Sequence, residues 1–230
     1  MTPGQHTLRS YDKQLDHLGQ LVSDMGGEVI KLVQDAKLSF RSPEAQRVVD
    51  AKAADKHINR LDSQIEEEAT IVLALQSPMA IDLRFVTSVI KITDMLERAG
   101  DMAKNTVKRS VKKGDFAPEP VLQNLERMAD VIVEMLGDAL DAFARRDTQK
   151  AIAVWKRDEE IDTLYREIFT AMQKEMSASP NHVEEGIHVV FAAKNLERLA
   201  DYTTNLAKTV YYVTSGKRAD KTVLKGDSAQ

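Results

Sequence analysis

The chain of 230 residues contains no cysteine, one tryptophan, six prolines and ten glycines, and aromatic side chains make up 5% of it. Lack of cysteine excludes disulfides and thiolate metal sites and accords with a reducing compartment. Scarce glycine, proline and aromatic residues argue against sheet-rich or loop-rich folds. No apolar run approaches the ~20 residues needed to cross a bilayer, and the opening Met-Thr-Pro-Gly-Gln-His lacks the charged and apolar regions of a signal peptide. A soluble, cytoplasmic protein is the expectation. Also missing are a phosphate loop, a nucleophile elbow and any histidine paired with serine or cysteine, so nothing points to a hydrolase. Charge of one sign is lacking too. Against 36 acidic residues stand 32 basic ones, a net charge of −4, and no overall field draws the protein toward nucleic acid or anionic lipid.

What is present is 43% hydrophobic and 30% charged residues, rich in Ala, Leu, Glu, Asp, Lys and Arg. This composition favours long helices and predicts an all-α fold. Apolar positions recur at helical spacing over about 7–38, interrupted only by Gly26 and Gly27. Ser42-Pro43-Glu44 supplies an N-cap, a first-turn proline and a first-turn acid for a second helix reaching about Gln76. Ser77-Pro78 restarts the pattern, and a third helix runs to Lys113-Gly114-Asp115. Residues 114–120 hold Gly114, Pro118 and Pro120 and suit a linker. A second trio follows over 121–146, from Asp147-Thr148 to about Met176, and from Ser179-Pro180 to Gly216.

The trios are related in sequence. Leu21 to Ile30 matches Val131 to Leu140 at offset 110, the stretch from Asp55 matches that from Asp158 at offset 103, and the third helices match at offset 100. Six long helices in two tandem, duplicated three-helix bundles are predicted, with boundaries at 1–115 and 116–216 and a flexible tail over 217–230.

The third helices carry Glu97-Arg98-Ala99-Gly100-Asp101 and Glu197-Arg198-Leu199-Ala200-Asp201, continued by Asn105 and Asn205. Positions i, i+4 and i+8 form one stripe on a helix. Helices joined by a tight Ser-Pro turn run antiparallel, so height is read by counting from the proline. Asp55 lies 23 residues before Pro78 and Asp101 lies 23 after; Asn59 and Glu97 lie 19 before and after. Asp158 and Asp162 meet Glu197 and Asp201 at a similar level around Pro180. At about 100° per residue Asp94, Glu97, Asp101 and Asn105 share a quadrant beside the apolar stripe, as do Asp55, Asn59, Asp62 and Glu66 on the second helix.

Carboxylates converging in this way repel unless a cation sits among them, and a multivalent metal is the simplest. Oxygen ligation without cysteine or placed histidine suits iron, manganese, magnesium or calcium rather than structural zinc. Solvated surface is the competing account, and Arg98 and Arg198 serve it if each neutralises a nearby acid. The Glu185-x-x-His188 motif has Phe85 and Ser88 at the matched positions of the first half, which disfavours a ferritin-like oxidase; His188 reads as a seam histidine. Trp155, Tyr211 and Tyr212 read as packing residues. The basic run Lys104, Lys108, Arg109, Lys112 and Lys113 reads as cations complementing a helix C-terminus, in preference to a partner-binding patch.

The segment Gln76-Ser77-Pro78-Met79-Ala80-Ile81-Asp82-Leu83-Arg84-Phe85, followed by both Glu-Arg-x-x-Asp motifs, resembles the PhoU family of phosphate-uptake regulators over roughly residues 6–215. The resemblance implies two three-helix bundles binding multinuclear metal clusters, iron foremost, with manganese, magnesium, calcium or zinc as alternatives. The ligands it implies are Glu97, Asp101, Glu197 and Asp201, with Asp55, Asp158 and Asp162 from the second helices. It further implies a cytoplasmic homodimer that restrains the ABC phosphate importer from its cytoplasmic face and links it to a phosphate-sensing histidine kinase, reaching the membrane only through partners. Met102 and Tyr202 stand where many relatives have histidine, and Asn59 replaces a carboxylate. Weaker or different metal occupancy is therefore expected in the first half, with Asp94 as a compensating ligand. A non-enzymatic regulator is the expected function; a carboxylate-bridged phosphatase or oxidase and a metal-free scaffold are the alternatives.

Overall fold

The computed structural model describes residues 3–219 and 223, with side chains from residue 11 onward. Its helices are α1 (Pro3–Arg41), α2 (Ala45–Gln76), α3 (Ala80–Lys113), α4 (Glu119–Arg145), α5 (Thr148–Lys156), α6 (Asp158–Ala178) and α7 (Val183–Ser215), with a 3-10 turn over Pro180–His182. Among the described residues there is no strand and no helix long and apolar enough to cross a membrane. Helices α1, α2 and α3 pack as one bundle, and α4, the α5–α6 pair and α7 as a second. The predicted all-α duplicated architecture is the one observed. Beyond Ala219 the expected tail lies, except for residue 223, outside the described residues.

Two details differ from expectation. Helix α2 begins at Ala45 with Glu44, not Ser42, in the N-cap position and without a side-chain cap bond. The Ser42 hydroxyl donates to the Glu44 carboxylate, while the Ser42 carbonyl accepts from the Glu44 amide at 2.9 Å and from Arg47 Nε at 2.9 Å. The helix expected from Thr148 to about Met176 is broken at Arg157, whose amide reaches back to Trp155 O and to Val154 O, the latter at 3.1 Å. No glycine or proline marks that break. Its signal is a run of bases, Lys156-Arg157, followed by Asp158-Glu159-Glu160, the charge order of one helix end and the next helix start. The Asp147 cap is as expected, with its carboxylate accepting from the amides of Gln149 and Lys150.

One apolar cluster runs through both bundles, from Leu18, Val22, Met25 and Val29 to Leu196, Leu199, Ala200 and Val210. The bundles join mainly along α3 and α7, with α1 against α4 beside them. Phe85 and Phe143 stack across the join at 5.5 Å, and Lys37 bridges to Asp130 at 2.7 Å. Gly26 explains one interruption in the α1 pattern: a Cβ there would strike the Leu140 side chain of α4, so its absence permits the close α1–α4 crossing. Gly100 acts likewise between α2 and α3, where an added Cβ would lie 3.0 Å from Ile58 Cδ1. That approach sets the distance across the first acidic seam.

Candidate functional site

In the first half, α2 ends at Gln76, the turn occupies 77–79 with Ser77 left-handed, and α3 returns beside α2. Equal counting from Pro78 brings Asp55 and Asp101 to one place, as expected. What lies between them is Lys104. Its ammonium stands 2.8 Å from Asp55 Oδ2 and hydrogen-bonds to Asp101 Oδ1, with only 14% of its side chain exposed. Burial disfavours the charge on Lys104, yet the hydrogen bonds to Asp101 and Asp55 outweigh it and hold its pKa above the usual value. Asp55 is buried at 8% exposure, and its second oxygen, Oδ1, has no hydrogen-bond partner.

Glu97, one turn up, has its carboxyl pushed above the usual range by burial, then by Asp101, Asp62 and Asp55. Asp62 is pushed up by burial, then by Glu66 and Asp94. Asp94 therefore belongs to a neighbouring turn that faces Asp62, where Arg98 pairs with it at 3.1 Å. Asn59 is exposed, and only its backbone carbonyl takes part in a hydrogen bond, from Ser63 Oγ at 3.2 Å.

In the second half the same level is built differently. The break at Arg157 places Asp158 at the start of α6, where the helix dipole favours a carboxylate. Position 204, which matches Lys104, is threonine, and its hydroxyl donates to Asp158 Oδ1 at 3.1 Å. Position 194, which matches Asp94, is lysine, and its ammonium approaches Glu197 Oε2 at 2.6 Å. That oxygen is buried without an aligned hydrogen bond, so the contact is an ion pair by proximity. Burial raises the Asp158 carboxyl against the opposing Thr204 hydrogen bond, and Asp162 and Glu197 add to the rise. Burial, then Glu197 and Asp158, raise Asp201, although one side of that residue stays exposed. Asp162 is exposed at the rim.

The structure thus brings Asp55 and Asp101 together on one lysine with Glu97 above, and gathers Asp158, Asp162, Glu197 and Asp201 into one electrostatic group. Among the described residues, no three carboxylate or imidazole side chains are disposed to hold a metal ion. The first seam does not fit a metal as it stands, because an ammonium takes up oxygens of both aspartates. The second has an all-oxygen donor set in Asp158, Asp162, Glu197 and Asp201, with Asp158 and Asp201 raised by burial and, after it, by neighbouring acids, and with only Glu197, among the described residues, met by an ammonium, which fits a hard cation chemically. Arg98 neutralises an acid as expected, whereas Arg198 donates to the Tyr202 hydroxyl at 3.3 Å. Lys104 and Lys194 were missed as site residues. Their spacing, i+3 from Asp101 and i−3 from Glu197, is the signal that marks them as ion-pair partners.

The PhoU domain matches this chain twice, over residues 22–110 and 125–210. A phosphate-specific transport system accessory protein PhoU homolog of Caulobacter vibrioides is 40% identical over 217 residues, covering 93% of this chain and 93% of that protein. A homolog of the same description from Rhizobium meliloti is 34% identical over 215 residues, 92% of this chain and 90% of its own length. The crystal structure of PhoU from Pseudomonas aeruginosa superposes with a TM-score of 0.85 at 28% identity, covering 90% of this chain and all of that one. Two matched repeats on a shared architecture leave one assignment: the chain belongs to the PhoU family.

Proposed function

We propose that this protein regulates phosphate uptake as an accessory of a phosphate-specific transport system, with no catalytic step of its own. The names of its relatives support the transport role. The finer reading is a negative regulator: a cytoplasmic homodimer that docks on the cytoplasmic face of an ABC phosphate importer and on a phosphate-sensing histidine kinase. Docking is supported by the exposed apolar tip of the first bundle, where Leu75 is 73% and Met79 80% exposed, with Ile81 and Leu83 beside them. Changing Leu75 and Met79 to aspartate is expected to lower affinity for the importer while leaving thermal stability unchanged; unaltered affinity in a pull-down titration sinks that assignment of the surface.

The observation that carries the cation-binding part of the reading is the second seam, where, among the described residues, Lys194 meets only Glu197 and no ammonium pairs with Asp158, Asp162 or Asp201. Asp158, Asp162, Glu197 and Asp201 would hold a hard divalent or trivalent ion, iron foremost, through oxygen alone. Bound there, the ion would supply charge neutralisation and a cross-link between α6 and α7. The residues' own contribution is positional: the α6 start and the α7 stripe keep four carboxyl groups at one level whose repulsion favours any cation that arrives. Replacing Glu197 and Asp201 with alanine should lower the metal measured by elemental analysis of protein purified without chelator and weaken importer binding. Undiminished metal content in that double variant defeats the site.

A further inference from the structure

The basic run near the end of α3 has a role outside the acidic seams. Lys112 and Lys113 occupy the last turn of α3, as expected for residues complementing its dipole. Lys108 and Arg109 do something else. With Lys52 of α2 and Lys112 they line a cavity of about 530 Å³ roofed by Phe191 and Asn195 of α7. That volume is in the range of small-molecule sites.

The cavity's lining contains four cationic side chains and no acid. Among the described residues none of the four forms an ion pair with a carboxylate, whereas Lys104, one turn away, has two. Crowding is felt within the group: burial, then Lys104 and Lys52, lower the Lys108 ammonium below its usual range. Uncompensated cations on a partly enclosed wall focus the field and attract anions. A second cavity between α3 and α7, lined by Lys91, Arg98, Lys208 and Arg218, differs in containing Asp94, which already pairs with Arg98.

The other walls specify more than charge. Phe191 is 47% exposed, and the Arg109 guanidinium lies over one face, 4.5 Å from the ring centroid. Arg109 is fixed from behind by His188, whose Nδ1 lies 3.2 Å from Nη1. Burial, then Arg109 and Lys112, hold His188 below its usual pKa, so the neutral ring accepts this bond. Val48 and Val111 extend the apolar surface, the Asn195 amide offers a donor and an acceptor, and the Asn105 side-chain oxygen accepts from Lys108 Nζ at 3.4 Å. The cavity therefore has cations from α2 and α3 on one wall and an aromatic ring and an amide from α7 on the other.

We propose that this cavity between α2, α3 and α7 binds a nucleotide, with its phosphates on Lys52, Lys108 and Lys112 and its base against Phe191 and Asn195. Two or more negative charges are required to offset the cluster, and a planar ring fits the aromatic and amide wall. Because α2 and α3 belong to one bundle and α7 to the other, an occupant would fasten the two halves together. The site is independent of metal at the acidic seams.

Isothermal titration of the full chain with ADP, pyrophosphate and adenosine, in low salt with chelator present, tests it. ADP should bind tightest, pyrophosphate more weakly and adenosine undetectably. Lys108→Gln with Lys112→Gln should weaken ADP at least tenfold while circular dichroism and Tm stay as in the parent. Phe191→Ala should weaken ADP and leave pyrophosphate within twofold. As a second route to the same cations, Asn195→Asp should oppose both phosphorylated ligands. ADP that binds no better than adenosine, or equally well to the double glutamine variant, overturns the site. Equal binding of ADP and pyrophosphate, indifferent to Phe191→Ala, overturns the nucleotide assignment.

Discussion

The two halves of this molecule place acids at the same height on matching helices and neutralise them by opposite means. In the first, Lys104 reaches down α3 to clamp Asp55 and Asp101, and position 94 is an acid. In the second, the lysine has moved to position 194, where it meets Glu197, and position 204 is a threonine that hydrogen-bonds to Asp158. Shifting one cation by ten residues changes which carboxylates it serves. The first pair of aspartates is closed by the protein's own ammonium; in the second half the ammonium meets Glu197, and Asp158 and Asp201 have no ion-pair partner among the described residues. The two copies share their helices and the height of their acids and differ in which carboxylates their lysine meets. The expectation of weaker metal occupancy in the first half rested on Asn59, but Lys104 is the stronger reason for it.

Removing the internal cation is the sharpest way to break the comparison. Lys104→Ala leaves Asp55, buried and with one oxygen already unpartnered, as an uncompensated charge. Breaking a buried pair from one side costs about 3 kcal/mol or more. Thr204→Val removes one part-buried hydrogen bond from Asp158, a loss of about 1 kcal/mol. Urea unfolding of both variants gives the contrast directly. Equal losses would mean that Lys104 is a solvated lysine and that the halves do not differ as described.

Moving the cation should move the metal. Thr204→Lys rebuilds the first-half arrangement in the second, and titration with manganese is expected to show affinity reduced by at least tenfold. Since Thr204 is buried, Thr204→Val serves as the control for packing: it lacks the hydroxyl but adds no charge, and should retain manganese. Retention by Thr204→Lys would separate the acidic seam from metal altogether.

Proton linkage gives a smaller, signed effect. Asp158 and Asp201 have folded-state pKa values above their ordinary ones. Each therefore contributes stability that is complete below the ordinary carboxylate range, about 4, and is lost as pH rises through the raised folded value. A cation at the second seam would reverse that loss by favouring the ionised forms. The rise in Tm on adding manganese should accordingly be larger near about pH 7 than near about pH 4. The same rise at both would detach the ion from these two carboxylates.

Height was legible in the sequence because a helix is a rod of fixed rise, and equal counts from Pro78 place Asp55 and Asp101 together wherever the turn is tight. Core positions such as Leu96, Ala103 and Val107 were legible from their spacing for the same reason. Side-chain direction was not. Lys104 has a four-carbon stem that serves a helix end or an acid on the neighbouring rod equally well, and only packing decides between them. The break at Arg157 lacked a glycine or proline to announce it. The basic cavity draws on α2, α3 and α7, and periodicity within a half carries no information about which helix of the other half will cover it.

The least effect is expected where charge stays in water, and it bounds the comparison from below. Arg98 pairs with Asp94 at i−4, with 54% and 59% of the two side chains exposed. Exposed pairs of this spacing contribute only a small stabilisation, because solvent screens the attraction and two long side chains lose rotamer freedom. Arg98→Ala should therefore lower stability to urea by no more than that. It should do so at low salt and lose most of the difference at high salt, where Lys104→Ala would keep its full cost. A large, salt-insensitive loss for Arg98→Ala would place the first half's charge compensation on the wrong arginine-side turn and return Asp94, rather than Lys104, to the centre of the seam.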